Sequence, residues 1–169
     1  ENADDGDILE KQTIEISEYD NAKTIYEKVT YTADKIIKKT VKNFDNIVPL
    51  KQNLKFASFY KKRTPLDSHV NFNQKVHDVY NFIRSLSKPY PNAYAFIDKK
   101  KHYLIESAPF DRFLFRDYKK EPGKIIESFP SGLIVMTHDY PIMIKKIIIS
   151  HKEIKFKWNQ KKYIGKYFE

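Results

Sequence analysis

The chain has 169 residues, of which 41% are hydrophobic and 31% charged, with a formal net charge of +9. This balance excludes a disordered chain and predicts a soluble globular protein with one domain or two small ones. The absence of cysteine excludes disulfides and thiolate metal sites. No apolar run approaches the ~20 residues that span a bilayer, so we expect a cytoplasmic protein without a membrane partner. The basic charge fits a nucleic acid, a membrane surface or an anionic small substrate and, equally, an AT-rich genome, which favours lysine codons.

The first part of the chain predicts a strand followed by a long helix. Residues 8–16 end in an alternation that places Ile14 and Ile16 on one face, which is typical of a strand. Asp20 is the predicted N-cap of the helix. Apolar residues then recur at spacings of three and four and form the stripe of an amphipathic helix: Ala22, Ile25, Tyr26, Val29, Ala33, Ile36, Ile37 and Val41.

A linker, a second helix and a set of short strands follow. Residues 45–68 lose periodicity, which predicts a linker, and a helix is predicted over 74–86 with Asn73 as its cap. From Ala93 onward, short strands alternate with turns rich in Pro, Gly and Asp. Such strands predict a small antiparallel barrel or sandwich. They cover residues 93–97, 102–107, 124–128, 132–137, 141–149 and 153–158.

Two segments carry residues suited to chemistry. An acidic turn, Asp4-Asp5-Gly6-Asp7, precedes the first strand. The basic segment Lys62-Arg63-Thr64-Pro65, with Arg84 on the second helix, offers cations for phosphates, because arginine binds phosphate through two N–H groups. The acidic turn can also be an ordinary solvated turn, and the basic segment can be ordinary surface charge. The five histidines lack the spacing of a metal site, so no metal is predicted.

In this order and spacing, the segments resemble the formyltransferase family that uses 10-formyltetrahydrofolate. The acidic turn with Ile8-Leu9 is similar to that family's Asp-x-Gly-Asp-Ile-Leu turn. Lys62-Arg63-Thr64-Pro65-x-Asp67 is similar to the linker of the sugar-nucleotide branch, typified by the 4-amino-4-deoxy-L-arabinose formyltransferases. Ile83-Arg84 with Pro89-Tyr90-Pro91-Asn92-Ala93, and Pro122-Gly123-Lys124-Ile125, resemble segments of its C-terminal domain.

The resemblance implies an α/β fold. Residues 1–50 would be the C-terminal strand-helix remnant of a Rossmann-like catalytic domain, and residues 51–67 its linker. Residues 68–169 would form a C-terminal domain with a helix and a small OB-like β-barrel. The N-terminal part of the catalytic domain would come from preceding sequence or from a partner chain, because one strand and one helix cannot bury both of their faces. A homodimer is compatible with this arrangement.

The resemblance also implies roles for individual residues. Asp4 would be the catalytic acid/base that assists proton transfer as the substrate amine attacks the formyl carbon. The turn formed by Asn2, Ala3, Asp4 and Asp5 would line the pocket for 10-formyltetrahydrofolate. The substrate, a nucleotide-linked amino sugar, would contact Lys62, Arg63, Thr64, Pro65 and Arg84. The family's catalytic Asn-x-His has no counterpart in this sequence, so we expect the chain alone to be inactive.

Two other functions remain open. Methionyl-tRNA formyltransferase shares the acidic turn and the C-terminal barrel, and the net charge of +9 fits tRNA. The alternative from another class is a non-enzymatic OB-like module that binds single-stranded nucleic acid through stacking and phosphate contacts. Binding that weakens steeply with salt would favour nucleic acid, whereas sugar-selective nucleotide binding would favour the first function.

Overall fold

The computed structural model describes residues 4–158 and 160–169, and the chain divides into two compact units, Glu1–Arg63 and Thr64–Glu169. The first unit contains one long helix. The second contains a shorter helix and an antiparallel sheet. The division falls inside the linker predicted over residues 51–67. The bounds predicted for the two domains, 1–50 and 68–169, stay a prediction. Within the two described ranges, no helix combines the length and the apolar character needed to cross a membrane.

Helix α1 spans Ala22–Lys42, and its N-cap is Asn21 rather than the predicted Asp20. The Asn21 side-chain oxygen accepts the backbone N–H groups of Lys23 at 2.9 Å and Thr24 at 3.2 Å. The Thr24 hydroxyl oxygen accepts the Asn21 N–H in return, at 3.0 Å, which completes a capping box. Asp and Asn are comparable caps, so the sequence did not distinguish these two neighbours.

Asp20 instead ties the start of α1 to residues on both sides of it. Its buried carboxylate accepts hydrogen bonds from the Ser17 N–H and the Thr24 hydroxyl, each at 2.8 Å, and from Lys28 Nζ at 2.6 Å. The bond from Lys28, reinforced by those from Ser17 and Thr24, holds the pKa of Asp20 far below its ordinary range. The ionised carboxylate, which these bonds favour, therefore fixes the entry of the chain into the helix.

The apolar stripe of α1 is confirmed as helical, yet no residue of α1 is buried. Tyr26, Ile37 and Val41 are 60%, 61% and 69% exposed. Amphipathic helices are normally stabilised by packing of this face rather than by helix propensity. The apolar face of α1 therefore lacks a covering layer among the described residues of the first unit.

The strand predicted at the end of residues 8–16 is wrong, because residues 9–16 have no regular structure. A strand persists only where its backbone groups pair with a neighbouring strand, and Ile16 is 65% exposed. Ile8, further upstream, does pair with Leu50 through two backbone hydrogen bonds of 2.8 and 2.9 Å. The period-2 pattern was present without the partner that would make it a strand.

Helix α2 spans Val76–Ser85, slightly less than the predicted 74–86, and buries Val76, Val79 and Ile83. Its N-cap position falls at Lys75, whose side chain makes no capping bond, rather than at the predicted Asn73. The cap comes from Asp139, 63 residues later in the chain, whose Oδ1 accepts the Val76 N–H at 2.7 Å. A cap supplied from such a distance leaves no local sequence signal.

The sheet of the second unit, over its described residues, has six strands in antiparallel pairs. The order is β1-β2-β5-β4-β3, with β6 beside β5. Five predicted strands are confirmed, those over 93–97 and 141–149 with the predicted bounds and the other three within two residues of them. The strands are β1 (Ala93–Ile97), β2 (Lys100–Pro109), β3 (Ile125–Phe129), β4 (Gly132–Met136), β5 (Pro141–Ile149) and β6 (Lys152–Glu153).

The strand predicted over 153–158 is mostly wrong, because β6 ends at Glu153. Beyond that point the chain turns inwards, and Phe156 is buried in the core of the unit. The carbonyl oxygen of Lys157 accepts the Ser128 hydroxyl at 2.9 Å. Because Phe156 is buried in the core, this segment does not continue the strand pairing with β5. The alternation of residue types in the sequence could not reveal this burial.

The last residues of the chain bond to both ends of the strand order. Phe96 of β1 and Glu169 exchange backbone hydrogen bonds of 2.8 and 2.9 Å. Gly123 accepts the Phe168 N–H, and Ile125 donates to the Lys166 carbonyl, each at 2.8 Å. The six strands alone form an open path, so strand pairing does not establish the predicted closed OB-like barrel. The observed class is mixed α/β with an antiparallel sheet.

Two apolar clusters form the interior of the second unit. The larger joins α2 to the sheet and includes Val79, Ile83, Leu104 and Ile144. Each such side chain contributes about 1.5–3 kcal/mol when fully buried. The smaller cluster consists of Phe115, Ile126, Ile134 and Met136. Because Phe115 belongs to the long connection between β2 and β3, this cluster anchors that connection to the sheet.

Candidate functional site

The side chain of Gln52, in the first unit, is hydrogen-bonded to the backbone of the acidic turn. Gln52 Nε2 donates to the carbonyl oxygens of Asp4 at 3.1 Å and Gly6 at 2.6 Å. Asp4 has a φ of 66°, a left-handed conformation that Asp tolerates better than most residues but that still costs energy. Its side chain is exposed. The turn therefore presents Asp4 to solvent on a fixed backbone.

The predicted cofactor pocket lies partly within the described residues. Asn2 and Ala3 lie outside the described residues, while Asp4 and Asp5 are both exposed. An enclosing cavity needs walls on several sides, and the described residues of the turn provide one edge. No chemical step through 10-formyltetrahydrofolate is derived from this one edge. The assignments of Asn2, Ala3, Asp4 and Asp5 remain predictions.

The basic segment falls at the division between the two units. Lys62 and Arg63 are the last residues of the first unit, and both are exposed. In the second unit, Pro65 begins a short 3-10 helix that Thr64 and Asp67 cap. Asp67 Oδ2 accepts the Thr64 N–H at 2.6 Å and the Thr64 hydroxyl at 2.8 Å. The Thr-Pro-x-Asp pattern therefore has a structural function of its own, as a capping box.

Arg84 lies on α2 and is engaged along its own helix. Its Nε donates to Asn81 Oδ1 at 2.8 Å, and its guanidinium carbon lies 5.2 Å from the centre of the Tyr80 ring. Stacking and hydrogen bonding of this kind orient a guanidinium group. The predicted role of Lys62, Arg63, Thr64, Pro65 and Arg84 in substrate binding stays a prediction.

The positive charge of the chain is concentrated in one unit. Residues 64–169 contain 19 Lys and Arg against 11 Asp and Glu, whereas residues 1–63 contain 12 against 11. The second unit therefore has a net charge of +8 and the first of +1. An excess of positive charge that is confined to one compact unit indicates an anion-binding surface. The same excess spread over the whole chain would be weaker evidence for one.

A second set of candidate residues was missed by the sequence interpretation. Residues 110–120, between β2 and β3, form a loop that alternates aromatic and basic residues. Arg112, Arg116 and Lys120 of this loop line a pocket together with Tyr140 and Phe115. The sequence signal for this pocket was the mixture of aromatic and basic residues in Arg-Phe-Leu-Phe-Arg-Asp-Tyr-Lys-Lys. The pocket also needs residues of the turn after β4, which only the fold brings next to the loop.

Beside this loop, Glu121 is hydrogen-bonded to two other titratable groups. It accepts hydrogen bonds from the Tyr167 hydroxyl and from Lys124 Nζ. The bonds from Tyr167 and then Lys124 lower the pKa of Glu121, and the same bond to Glu121 raises the pKa of Tyr167. Because both partners favour the ionised carboxylate, this cluster is suited to joining the C-terminal residues to β3. Among the described residues, no group of three or more His, Asp and Glu is placed to hold a metal ion.

Comparison with known proteins identifies the class. The family described as "Formyl transferase, C-terminal domain" matches residues 62–161, more than half of the chain. Its limits enclose α2 and the sheet. The chain therefore belongs to the formyltransferase family and carries its C-terminal domain, as the sequence motifs had indicated.

Individual relatives come from two branches of that family. The chain is 34% identical over 131 residues to the bifunctional polymyxin resistance protein ArnA of Wigglesworthia glossinidia brevipalpis. The matched region covers 75% of this chain and 19% of that protein. It is 32% identical over 138 residues to the methionyl-tRNA formyltransferase of Staphylococcus epidermidis, covering 79% of this chain and 42% of that enzyme. The chain thus spans less than half the length of these curated relatives.

Solved structures show the same fold. HypX from Aquifex aeolicus, in a crystal structure with tetrahydrofolic acid, matches 92% of this chain with a TM-score of 0.62 and 17% identity. The match covers 27% of HypX. At this identity the likeness concerns the fold alone.

Proposed function

We propose that this chain is the C-terminal part of a formyltransferase that moves the formyl group of 10-formyltetrahydrofolate to the amino group of a nucleotide-linked amino sugar. The observation that carries the proposal is the similarity to ArnA over 131 residues at 34% identity, together with the segment from Lys62 to Asp67. The tetrahydrofolic acid bound to HypX supports the choice of donor. The formyl group itself would be supplied by the folate.

Asp4 is the proposed acid/base. Support comes from its strained backbone, since residues held at positive φ by surrounding contacts often serve a functional site. Gln52 supplies the contacts that maintain the strain. An exposed carboxylate on a fixed turn can take a proton from an amine that attacks nearby. The Asn-x-His partners would be contributed by residues outside this chain.

The proposed remainder of the enzyme also accounts for α1. The exposed faces of Tyr26, Ile37 and Val41 form an apolar surface that a larger α/β domain would cover. The relatives are longer than this chain, which supports a catalytic half formed by other sequence. That half would complete both the packing of α1 and the pocket beside Asp4.

The finer fold that we propose for the second unit is an OB-like barrel closed by its C-terminal residues. Backbone hydrogen bonds from Glu169 to β1 and from Lys166 and Phe168 to the start of β3 support it. Closure of this kind removes the free edges of an antiparallel sheet. Amide protons at Phe96 and Ile125 would then exchange slowly, and fast exchange at both would contradict closure.

The second candidate is a methionyl-tRNA formyltransferase. The observation that favours it is the net charge of +8 on the second unit, because a basic surface of this kind attracts phosphate backbones. The methionyl-tRNA formyltransferases of Ehrlichia canis and Staphylococcus epidermidis are 30% and 32% identical to the chain. The substrate therefore has to be decided by experiment.

The deciding assay offers the whole protein that contains this chain a choice of acceptors. We expect formyl transfer from 10-formyltetrahydrofolate to UDP- or dTDP-linked amino sugars, with little salt dependence. Transfer to methionyl-tRNA that declines steeply with salt would select the second candidate. Absence of transfer to any amine would overturn both and leave the non-enzymatic OB-like module.

A variant pair tests the basic segment in the same assay. Arg63→Ala removes a proposed phosphate contact, and we expect KM for the sugar nucleotide to rise about tenfold, which corresponds to one lost charge-assisted hydrogen bond. Lys61→Ala is the matched control, two residues away with the same change in charge. Equal effects of the two variants would show that only net charge matters.

A further inference from the structure

The pocket between the 110–120 loop and the turn after β4 has two preformed walls. Asp111 Oδ1 accepts the backbone N–H groups of Phe113 at 2.7 Å and Leu114 at 3.0 Å, which folds the loop back on itself. Phe115 is 7% exposed and belongs to the smaller apolar cluster. The loop is therefore fixed at one point by hydrogen bonds and at another by burial.

The opposite wall is the turn from Thr137 to Tyr140. Asp139 Oδ1 accepts the N–H of Tyr140 at 2.9 Å, the Thr137 hydroxyl at 3.1 Å and the N–H of Val76 at 2.7 Å. Tyr140 of this turn lines the pocket and is 38% exposed. The Asp139 carboxylate, which lines the pocket, is thus engaged by its hydrogen bonds to this turn and to α2.

The cations of the pocket are placed for an anion. Arg112, Arg116 and Lys120 line it together with one carboxylate, that of Asp139. Arg116 Nε also lies 3.5 Å from Asp117 Oδ2, in an exposed ion pair that a bound phosphate would replace. The Arg112 guanidinium carbon lies 4.8 Å from the centre of the Phe113 ring and 5.8 Å from that of Tyr140. A guanidinium stacked on aromatic faces keeps its N–H edge available for two parallel bonds to phosphate oxygens.

The remaining lining is apolar and aromatic. Phe115 and Met136 of the lining are buried, while Tyr118 and Tyr140 are 47% and 38% exposed. Exposed tyrosine rings stack well against nucleobases, and this stacking tolerates any base. A simple inorganic anion would leave these surfaces unused, whereas a ligand with both a phosphate and a planar base would use each part of the pocket.

We propose that this pocket is a binding site for a nucleoside diphosphate, with the phosphates on Arg112 and Arg116 and the base against Tyr140 or Tyr118. The site lies wholly within the second unit and does not rest on the proposed formyl transfer. It involves none of the residues that the sequence motifs assigned to substrate.

The test uses the whole protein with UDP and ADP as probes, and hydrogen exchange measured by mass spectrometry to locate binding. We expect either probe to slow exchange in the 110–120 loop. In the double variant Arg112→Gln, Arg116→Gln, the probe concentration that gives half-maximal protection should rise at least about tenfold, as expected for lost charge-assisted bonds. Lys152→Gln combined with Lys162→Gln, outside the pocket, is the control of equal charge and should have no effect.

Smaller probes separate the parts of the ligand. We expect uridine and inorganic pyrophosphate each to protect the loop far more weakly than UDP. Protection by pyrophosphate equal to that by UDP would overturn the nucleoside assignment, as would protection by single-stranded RNA alone. Protection by UDP that is confined to peptides around Lys62 and Arg63 would place nucleotide binding elsewhere and also overturn the proposal. Loss of formyl transfer without loss of loop protection would leave this site standing and count against the proposed function alone.

Discussion

Asp139 and Val76 are joined by a hydrogen bond of 2.7 Å from the Val76 N–H to Asp139 Oδ1. The turn between β4 and β5 thereby caps helix α2. Burial tends to raise the pKa of Asp139, but the bonds from Val76, Tyr140 and Thr137 outweigh it and lower that pKa. The ionised side chain is therefore the form that joins helix and sheet, and one carboxylate positions both α2 and a wall of the proposed nucleotide pocket.

Replacing Asp139 with Ala should destabilise the second unit. We expect the free energy of unfolding in urea to fall by about 1–2 kcal/mol, because a helix cap and a part-buried hydrogen-bonded group are lost together. Asp117→Ala, on an exposed surface pair, should change it by less than about 0.5 kcal/mol. Equal losses in the two variants would show that Asp139 acts only through charge.

The same carboxylate predicts a response to acid. A folded-state pKa below the unfolded value means that the stabilisation is present above the unfolded value of about 3.9 and is lost as pH falls towards the folded pKa. We expect the difference in unfolding free energy between the wild type and Asp139→Ala to shrink below about pH 4. A difference that stayed constant down to pH 2.5 would contradict this account.

His102 predicts a second pH effect, in a different range. It is 4% exposed, and its burial lowers its pKa, despite opposing contributions from the Lys100 carbonyl and Asp98. In the unfolded chain this histidine takes up a proton near pH 6.5, whereas in the folded chain it does so only at lower pH. The free energy of unfolding should therefore fall as pH drops from about 7 to 5. His102→Phe should flatten this slope in urea unfolding. His77→Gln, on the exposed side of α2, should leave it unchanged.

Much of the second unit could be predicted because its signals are local. Strands β1 and β5 follow directly from runs of apolar and β-branched residues between turns, and α2 from its apolar spacing. The errors share a physical cause, which is dependence on a distant partner. Asp139 caps α2 from another part of the chain, and Phe156 leaves the ladder to enter the core. Residues 9–16 have no neighbouring strand among the described residues.

The candidate site was predictable only where a motif is contiguous. The turn at Asp4 and the segment from Lys62 to Asp67 were recognisable as short patterns. The pocket with Arg112 and Tyr140 combines a loop and a turn separated by two strands, so sequence spacing does not bring its residues together. Chain order also gave no indication that Glu121 and Tyr167 would share a hydrogen bond.

Phe168 tests the contribution of the C-terminal residues to the core. It is 4% exposed, and its ring stacks on Phe72 at a centroid distance of 5.5 Å. Phe168→Ala should lower the free energy of unfolding by about 3–5 kcal/mol, because a buried aromatic side chain leaves a cavity. Tyr167→Phe, next to it but 39% exposed, loses only the bond to Glu121 and should cost about 1 kcal/mol. A loss below about 1 kcal/mol for Phe168→Ala would mean that these residues do not complete the core.

Gly123 and Gly165 form a matched pair that separates backbone strain from steric conflict. Their φ angles are 85° and 84°, so an alanine at either position meets the same left-handed penalty of roughly 1–2 kcal/mol. A Cβ at Gly123 would lie 2.4 Å from the carbonyl oxygen of Phe168, whereas one at Gly165 would meet nothing within 4 Å. Gly123→Ala should therefore be the more destabilising in urea unfolding, and it should also speed amide exchange at Phe168, which donates to the Gly123 carbonyl. Equal destabilisation by the two variants, with slow exchange retained at Phe168, would show that the C-terminal residues are not held against Gly123 in solution.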